Sequence, residues 1–290
     1  MKISVGTVQF GINYGVANKT GQVAISEIEH IITLCRDHGI DTLDTAAAYG
    51  DSEKRLGDVG VTDFKIITKL PIFDSSREDP KSWVENQVND SLERLQVPGV
   101  HGFLFHNPDQ LMSTTGESLY KSLLAHKESG LLQKIGVSIY SPEQLMQLDK
   151  NFEFDLVQAP FNIVDRRMLE SGCFSTLKLN QVEIHVRSVF LQGLLLMPAV
   201  ERHSYFQAWP KFWKIWDEWL SVSEISPLQV CLGFVFTVPE IDRIVIGVDS
   251  ASQLEQIILS IPSESCDYPS NLSMDDKLLI EPFRWPRFCR

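Results

Sequence analysis

The chain has 290 residues, 43% hydrophobic and 22% charged, the make-up of an ordinary globular protein with a sizeable core. Its 26 basic and 38 acidic residues leave a formal charge of −12, which excludes phosphate-led nucleic-acid binding and a basic membrane-surface role, since both need clustered Lys and Arg. The five cysteines are scattered without a C-x-x-C, so neither a disulfide framework nor a thiolate metal site is expected.

The opening apolar run, residues 3–10, predicts a strand; Gly6, Thr7 and Gln9 interrupt it too early for a signal-peptide core. Ile28, Ile31, Ile32 and Cys35 share a helix face, with Ser26 and Glu29 as a capping box and Gly39 as the stop. Strands are predicted over 42–46 and 64–70, separated by a short helix at 52–56. Asp79-Pro80 reads as an N-cap followed by Pro at the first helical position. A strand at 100–105, a helix through Leu119 and Leu123 closed by Gly130, and a strand at 134–138 follow. Ser141-Pro142 opens another helix. Strands at 155–159 and 182–190 flank a helix over 168–177. Helices at 209–220 and 228–237, a strand at 243–247 and a helix capped by Ser250 and Gln253 end the pattern. The richest apolar stretch, 193–200, is too short to span a bilayer. A cytoplasmic protein without membrane or nucleic-acid partners is expected.

Roughly eight βα units predict a parallel sheet. A doubly wound nucleotide fold would show G-x-G-x-x-G after an early strand, and neither that motif nor a P-loop occurs. The length and count predict a (β/α)8 TIM barrel, an α/β fold of ~250 residues. It is read as one domain over 1–290 with an irregular tail from about 261.

Barrel active sites lie at the C-terminal ends of the strands. The polar groups at those ends are Gln9, Asp44, Lys69, His106 with Asn107, Ser138, Gln158 with Asn162, and Arg187 with Ser188; Tyr49 lies in the loop after the second strand. Four of these form a chemical set. A free phenol has a pKa of ~10 and is a poor acid at neutral pH. An ammonium such as Lys69 is expected to lower it, and a carboxylate such as Asp44 to hold the ammonium in place. A neutral His106 would hydrogen-bond a carbonyl, so the four could protonate that carbonyl as hydride arrives.

These residues also carry a resemblance. Gly39-Ile-Asp-Thr-Leu-Asp-Thr-Ala-Ala-Ala-Tyr-Gly50, then Ser52-Glu53 and Leu56-Gly57, resembles the signature of the aldo-keto reductases. Thr68-Lys69, His106-Asn107-Pro108-Asp109, Lys134-Ile-Gly-Val-Ser138, Gln158-Ala-Pro-Phe-Asn162, the segment Ser188 through Gln192-Gly193-Leu194-Leu195, and Ile246-Gly247 with Gln253-Leu254-Glu255 follow in that family's order. The resemblance implies Tyr49 as proton donor, Lys69 and Asp44 as its tuning pair, and His106 as the group orienting the carbonyl. It implies a nicotinamide cofactor, NADPH in preference to NADH. Ser138 and Gln158 would hold the carboxamide, with Arg187, Ser188, Gln192 and Gly193 alongside. Gly247, Ser250 and Gln253 would take the adenosine ribose and its 2′-phosphate. It also implies a small carbonyl or alcohol substrate. The opening from Val8 to Gly21 resembles a bacterial subgroup tied to surface carbohydrate, so a sugar-derived substrate is expected.

The chain departs from the family at several points. Ile139 stands where many members have Asn, Arg187 where many have a stacking Tyr, Gln253 where many have a phosphate-binding Arg, and Ile257 where many have Asn. The N-terminal hairpin that closes the barrel bottom in many members is expected to be missing. A cofactor-binding regulatory subunit is the alternative, weakened by the complete tetrad. No H-x-H or H-E-x-x-H supports a metal-dependent hydrolase, and no metal is expected. Trp209, Phe212, Trp213, Trp216 and Trp219 are read as a helix face packed on the barrel. The tail residues Phe283, Trp285, Pro286 and Phe288 are candidate pocket lining.

Overall fold

The computed structural model describes residues 1–16, 18, 21–74, 79–262 and 266–286; Phe288 and Cys289 lie outside these. Eight strands close into a barrel in chain order, each parallel to its neighbours. They are β1 (Ile3–Gly6), β2 (Thr42–Asp44), β3 (Lys65–Leu70), β4 (Val100–Phe105), β5 (Leu132–Ser138), β6 (Leu156–Pro160), β7 (Glu183–Arg187) and β8 (Arg243–Gly247). The principal helices are α1 (Ile25–Asp37), α2 (Ser52–Val59), α3 (Pro80–Leu95), α4 (Gly116–Glu128), α5 (Pro142–Leu148), α6 (Cys173–Leu179), α7 (Pro210–Ser223), α8 (Pro227–Phe236) and α9 (Ala251–Leu259).

Local chemistry explains most boundaries. Asp79, Ser141 and Ser250 each accept a hydrogen bond from the backbone N–H three residues on, and Ser226 with Gln229 completes a capping box. Five expectations need correction. The first strand stops at Gly6, and Val8–Gly11 forms a helical turn instead. α1 starts at Ile25 with no side-chain cap, so Ser26 and Glu29 lie inside the helix and form no capping box. The helix expected over 168–177 is broken by Gly172, whose φ of +75° lies in the left-handed region, into Arg167–Glu170 and α6. β7 ends at Arg187 because Ser188, Leu191 and Gln192 all adopt positive φ. The tail is also more regular than expected: Asp276 caps a helical turn at Lys277–Ile280.

Side chains alternate between the barrel lumen and the helical shell. The outward set joins the helices in one large apolar core. Phe212, Trp213 and Trp216 of α7 are buried in it, each contributing roughly 1.5–3 kcal/mol by leaving water. Inside the lumen a smaller cluster of Ile67, Leu104 and Leu156 forms a fully buried plug. A Cβ on Gly136 would meet Leu104 Cδ2 at 2.4 Å, so glycine makes room for that plug. Below it lies a charged floor. Burial works to raise the Glu183 carboxyl, but hydrogen bonds from His101, His185 and Lys134 outweigh it and hold the group below the usual carboxylate range. Above the plug, at the C-terminal ends of the strands, the polar side chains collect. Among the described residues no single helix is long and apolar enough to cross a membrane.

Candidate active site

Asp44 ends β2 and Lys69 is the penultimate residue of β3, and both are buried. Lys69 Nζ donates to Asp44 Oδ1 at 2.6 Å and to the Thr45 carbonyl at 2.8 Å. Gln158, from β6 across the lumen, donates through Nε2 to Asp44 Oδ2 at 2.6 Å. The carboxylate is thus held on both oxygens. Burial pulls the Lys69 ammonium below its ordinary pKa, and Asp44 opposes that pull by attraction and hydrogen bonding.

Tyr49 reaches the same place from the loop after β2. Ser52 Oγ fastens that loop by donating to the Thr7 carbonyl at 2.9 Å, and it also lies 2.8 Å from Thr7 Oγ1 and 3.1 Å from Thr45 Oγ1. Two glycines permit the close fit. A methyl on Gly11 would lie 1.6 Å from the Tyr49 carbonyl oxygen, and Gly50, at φ +58°, would strike the Gly11 carbonyl. The next motif residue, Glu53, turns away into a buried set with Thr68, Ser91 and Arg94. Its work is to fasten α2 to β3 and α3.

The Tyr49 and His106 rings meet edge to face with centroids 5.7 Å apart, and Lys69 Nζ lies 5.2 Å from the Tyr49 ring centre. Burial pushes the Tyr49 phenol above its usual range, Asp44 adds to the rise, and Arg187 opposes it. Here the direction of tuning differs from the expectation. The Lys69 charge is committed to Asp44, so the phenol experiences desolvation and the carboxylate more than the ammonium. Tyr49 is therefore held as the protonated phenol. His106 is pushed down to about 4 by burial, then by Lys69 and Arg187. Its imidazole is neutral at pH 7, as the sequence reading required.

These groups stand at one end of a cleft of about 800 Å³. Ser138, Gln158, Arg187, Ser188, Gln192, Gly193, Gly247 and Gln253 all line it, as do Gln9 and Asn13. Lys69 lies beneath the surface rather than on it. Ser250 is not brought to the cleft; its hydroxyl caps α9 and pairs with Ser252. Asn162 braces the β7 turn instead, donating to the Ser188 carbonyl at 3.0 Å. The tail divides: Phe283 lines the cleft, whereas Trp285 is fully buried and donates to the Leu279 carbonyl.

The polar and aromatic lining residues that the sequence reading did not single out include Tyr14, Tyr140 and Asp249. Tyr14 takes a hydrogen bond from Gln192 Nε2 at 2.9 Å. Tyr140 carries the Arg187 guanidinium over its ring at 4.7 Å and meets Phe283 edge to face at 4.8 Å. Asp249 lies at the far end, its Oδ1 held by Asn18 Nδ2 at 3.2 Å. Tyr140 was findable, being two residues beyond Ser138 at the mouth of a barrel strand. Tyr14 lies in the non-helical stretch after the Val8–Gly11 turn, whose path no periodicity shows.

The lining suits a nicotinamide dinucleotide at the reacting end. Gln9 Oε1 and Gln192 Oε1 are buried acceptors with no donor, the kind of group that a carboxamide or ribose hydroxyl would satisfy. At the far end the fit is less complete. Glu27 Oε1 takes the Ala251 N–H at 2.6 Å, Gln253 Oε1 takes the Asp249 N–H at 2.8 Å, and Ser250 Oγ takes the Gln253 N–H. Among the described residues Arg187 is the one Lys or Arg lining the cleft.

A family model described as the Aldo/keto reductase family matches residues 2–265. The chain is similar to the aldo-keto reductase YhdN of Bacillus subtilis, 27% identical over 180 residues, covering 58% of this chain and 54% of that protein. Aflatoxin B1 aldehyde reductase member 2 of Rattus norvegicus is 33% identical over 120 residues, covering 39% of this chain and 32% of that protein. The chain thus aligns with about half the length of YhdN and a third of the rat enzyme. Among solved structures, the holo form of aldo-keto reductase AKR11C1 from Bacillus halodurans superposes with a TM-score of 0.69 at 18% identity, covering 92% of this chain and 88% of that one. That likeness shows the fold.

Proposed function

Since this chain belongs to the aldo/keto reductase family, we propose that it is a nicotinamide-dependent oxidoreductase that interconverts a carbonyl and an alcohol with Tyr49 as the general acid and base. The observation that carries the reading is the buried Asp44–Lys69 pair beneath the edge-to-face Tyr49 and His106 rings. The whole chain, 1–290, is read as one working unit. A sensing subunit would have no need of these proton-handling groups, and nothing at the site favours one.

The cofactor, when bound, supplies or accepts the hydride. Ser138 and Gln158 are proposed to hold its carboxamide. Gln158 Nε2 is committed to Asp44, which leaves the Gln158 carbonyl oxygen to accept from the carboxamide. Arg187, Ser188, Gln192 and Gly193 form the wall alongside, and Gly247 and Gln253 the adenosine end. His106, neutral at pH 7, donates a hydrogen bond to the carbonyl oxygen and sets its direction. Tyr49 transfers its hydroxyl proton to that oxygen as negative charge develops there. The resulting phenolate faces the Lys69 and Arg187 charges, which favour it. In the reverse direction the same phenolate takes the alcohol proton.

For the cofactor we propose NADPH over NADH by a small margin. The family and the N-terminus of α9 favour a 2′-phosphate, while the Asp249 and Glu27 carboxylates oppose it. The substrate is proposed to be a small aldehyde or ketone, sugar-derived by the resemblance of the opening segment, and the work to take place in the cytoplasm. The test is NADPH oxidation over a carbonyl panel with Tyr49→Phe as the control. Removing a positioned acid is expected to cost ~10²–10⁴-fold in kcat while NADPH still binds. A variant with near-parental turnover on every substrate would remove Tyr49 from the mechanism.

A further inference from the structure

Arg187 ends β7 pointing into the cleft, half-buried, beside Tyr49 and His106. Its Nη2 donates to the Ile139 carbonyl at 3.0 Å, its Nη1 lies 3.4 Å from Ser188 Oγ, and the guanidinium stacks on Tyr140. These contacts hold the plane of the group but use only part of its five N–H donors. No carboxylate among the described residues pairs with it. The other described arginines, Arg166 apart, each hold one: Arg94 takes Glu53, Arg167 takes Asp165, Arg202 takes Asp217 and Arg243 takes Asp41. Arg166 spends its donors on the Ile163 and Pro269 carbonyls. In a chain of net charge −12, an arginine left without a carboxylate at the reacting end is conspicuous. With Asp44 neutralised by Lys69 and His106 uncharged, that end carries one surplus positive charge.

We propose that Arg187 selects carbonyl substrates bearing an anionic group close to the reacting carbon, which it grips through its remaining donors. The inference rests on the proposed reaction and adds the substrate's charge class. A planar guanidinium fixed by Tyr140 and the Ile139 carbonyl suits a carboxylate or a phosphate oxygen pair. Binding there brings the anion beside the proton donor without a change in protonation. The aromatic residues Tyr14, Tyr140 and Phe283 would cover the remainder of a small substrate.

The test uses matched substrate pairs with the whole chain and NADPH: 4-carboxybenzaldehyde against benzaldehyde, and glyceraldehyde 3-phosphate against glyceraldehyde. The parent is expected to favour the anionic member of at least one pair by about tenfold in kcat/KM, the scale of one charge-assisted contact. The pair with the larger ratio identifies the anion. The preference should shrink as salt rises. Arg187→Met should bring the ratio to about one; kcat/KM falls for the neutral member too, because Arg187 also faces Tyr49, and the ratio within a pair cancels that shared loss. Arg187→Lys should keep part of the preference. NADPH affinity, read by tryptophan fluorescence, should fall by less than the anion preference in both variants, and retained binding also shows that they are folded. Equal kcat/KM within both pairs in the parent overturns the inference while leaving the reaction intact. Loss of NADPH affinity as large as the loss of anion preference also overturns it, by assigning Arg187 to the cofactor. If no carbonyl is reduced, the reaction reading fails, and calorimetry of benzoate and inorganic phosphate binding still decides. Binding of either that is lost in Arg187→Met supports the anion site, and no binding of either overturns it.

Discussion

Lys69→Met isolates what the buried ion pair does. Asp44 is 3% exposed, with Lys69 on one oxygen and Gln158 on the other. Removing the ammonium while leaving the carboxylate creates an uncompensated buried charge, a change that costs about 3–5 kcal/mol. Methionine keeps the length of the stem, so packing loss adds little. Unfolding entropy of roughly 2 cal/mol/K per residue gives about 0.6 kcal/mol/K for this chain, so Tm should fall by about 5–8 °C. Adding Asp44→Asn removes the orphan charge and should recover most of that loss. Turnover should stay low in both variants, because neither restores the charge that favours the Tyr49 phenolate. The assay is thermal unfolding by circular dichroism at pH 7, alongside NADPH oxidation. A double variant no more stable than Lys69→Met alone would show that charge compensation is not what the pair supplies.

The remaining expectations concern protons and the cofactor. His106 titrates near 4 in the folded chain against an ordinary 6.5. The unfolded chain therefore binds the extra proton first as pH falls, and stability drops between pH 6.5 and 4 by on the order of 2–3 kcal/mol. His106→Gln should lack this component, so its urea midpoint should fall less steeply than the parent's across that window and run parallel above it; parallel curves throughout would contradict the buried neutral imidazole. Asp249→Asn should tighten NADPH several-fold and leave NADH nearly unchanged, with the gain fading at high salt. A fluorescence titration in which both cofactors shift equally would show that Asp249 does not face the 2′-phosphate.

Much of this architecture was legible because it depends on periodic or strongly local signals. Asp79, Ser141 and Ser250 announce their helices through a single side-chain contact, and all three do cap. β8 was readable to the residue because an apolar run bounded by polar residues leaves no other choice. Asp44, Tyr49, Lys69 and His106 could be gathered because a closed barrel brings successive strand ends to one rim. Partner choice was not legible. The spacing of Ser26 and Glu29 suits a cap, yet α1 begins before Ser26. The net rise at Tyr49 was not legible, because only the folded geometry shows how deeply the phenol is buried and that Asp44 shares the Lys69 charge. The far end of the cleft was equally hidden, since Glu27 reaches Ala251 across 224 positions of sequence. Left-handed turns at Ser188, Leu191 and Gln192 shortened β7, and no glycine at those positions signalled them.

The fastening of the Tyr49 loop bears on the timing of a turnover. One hydroxyl, that of Ser52, lies within hydrogen-bonding reach of groups on Thr7 and Thr45, while Gly11 and Gly50 bring their two backbones to within atomic contact of each other. A loop held this way is not a door. The acid stands ready before any substrate arrives, so no part of the binding energy goes into assembling it, and solvent has little room to reorganise around it as charge develops. Among the described residues the other part of the rim to examine is the tail. There Phe283, half-exposed and leaning on Tyr140, is carried by a segment that Asp276 ties to Trp209 and Trp285 packs against Phe206. Rate-limiting motion, where there is any, is to be sought on that tail rim and not at the residue that gives the proton.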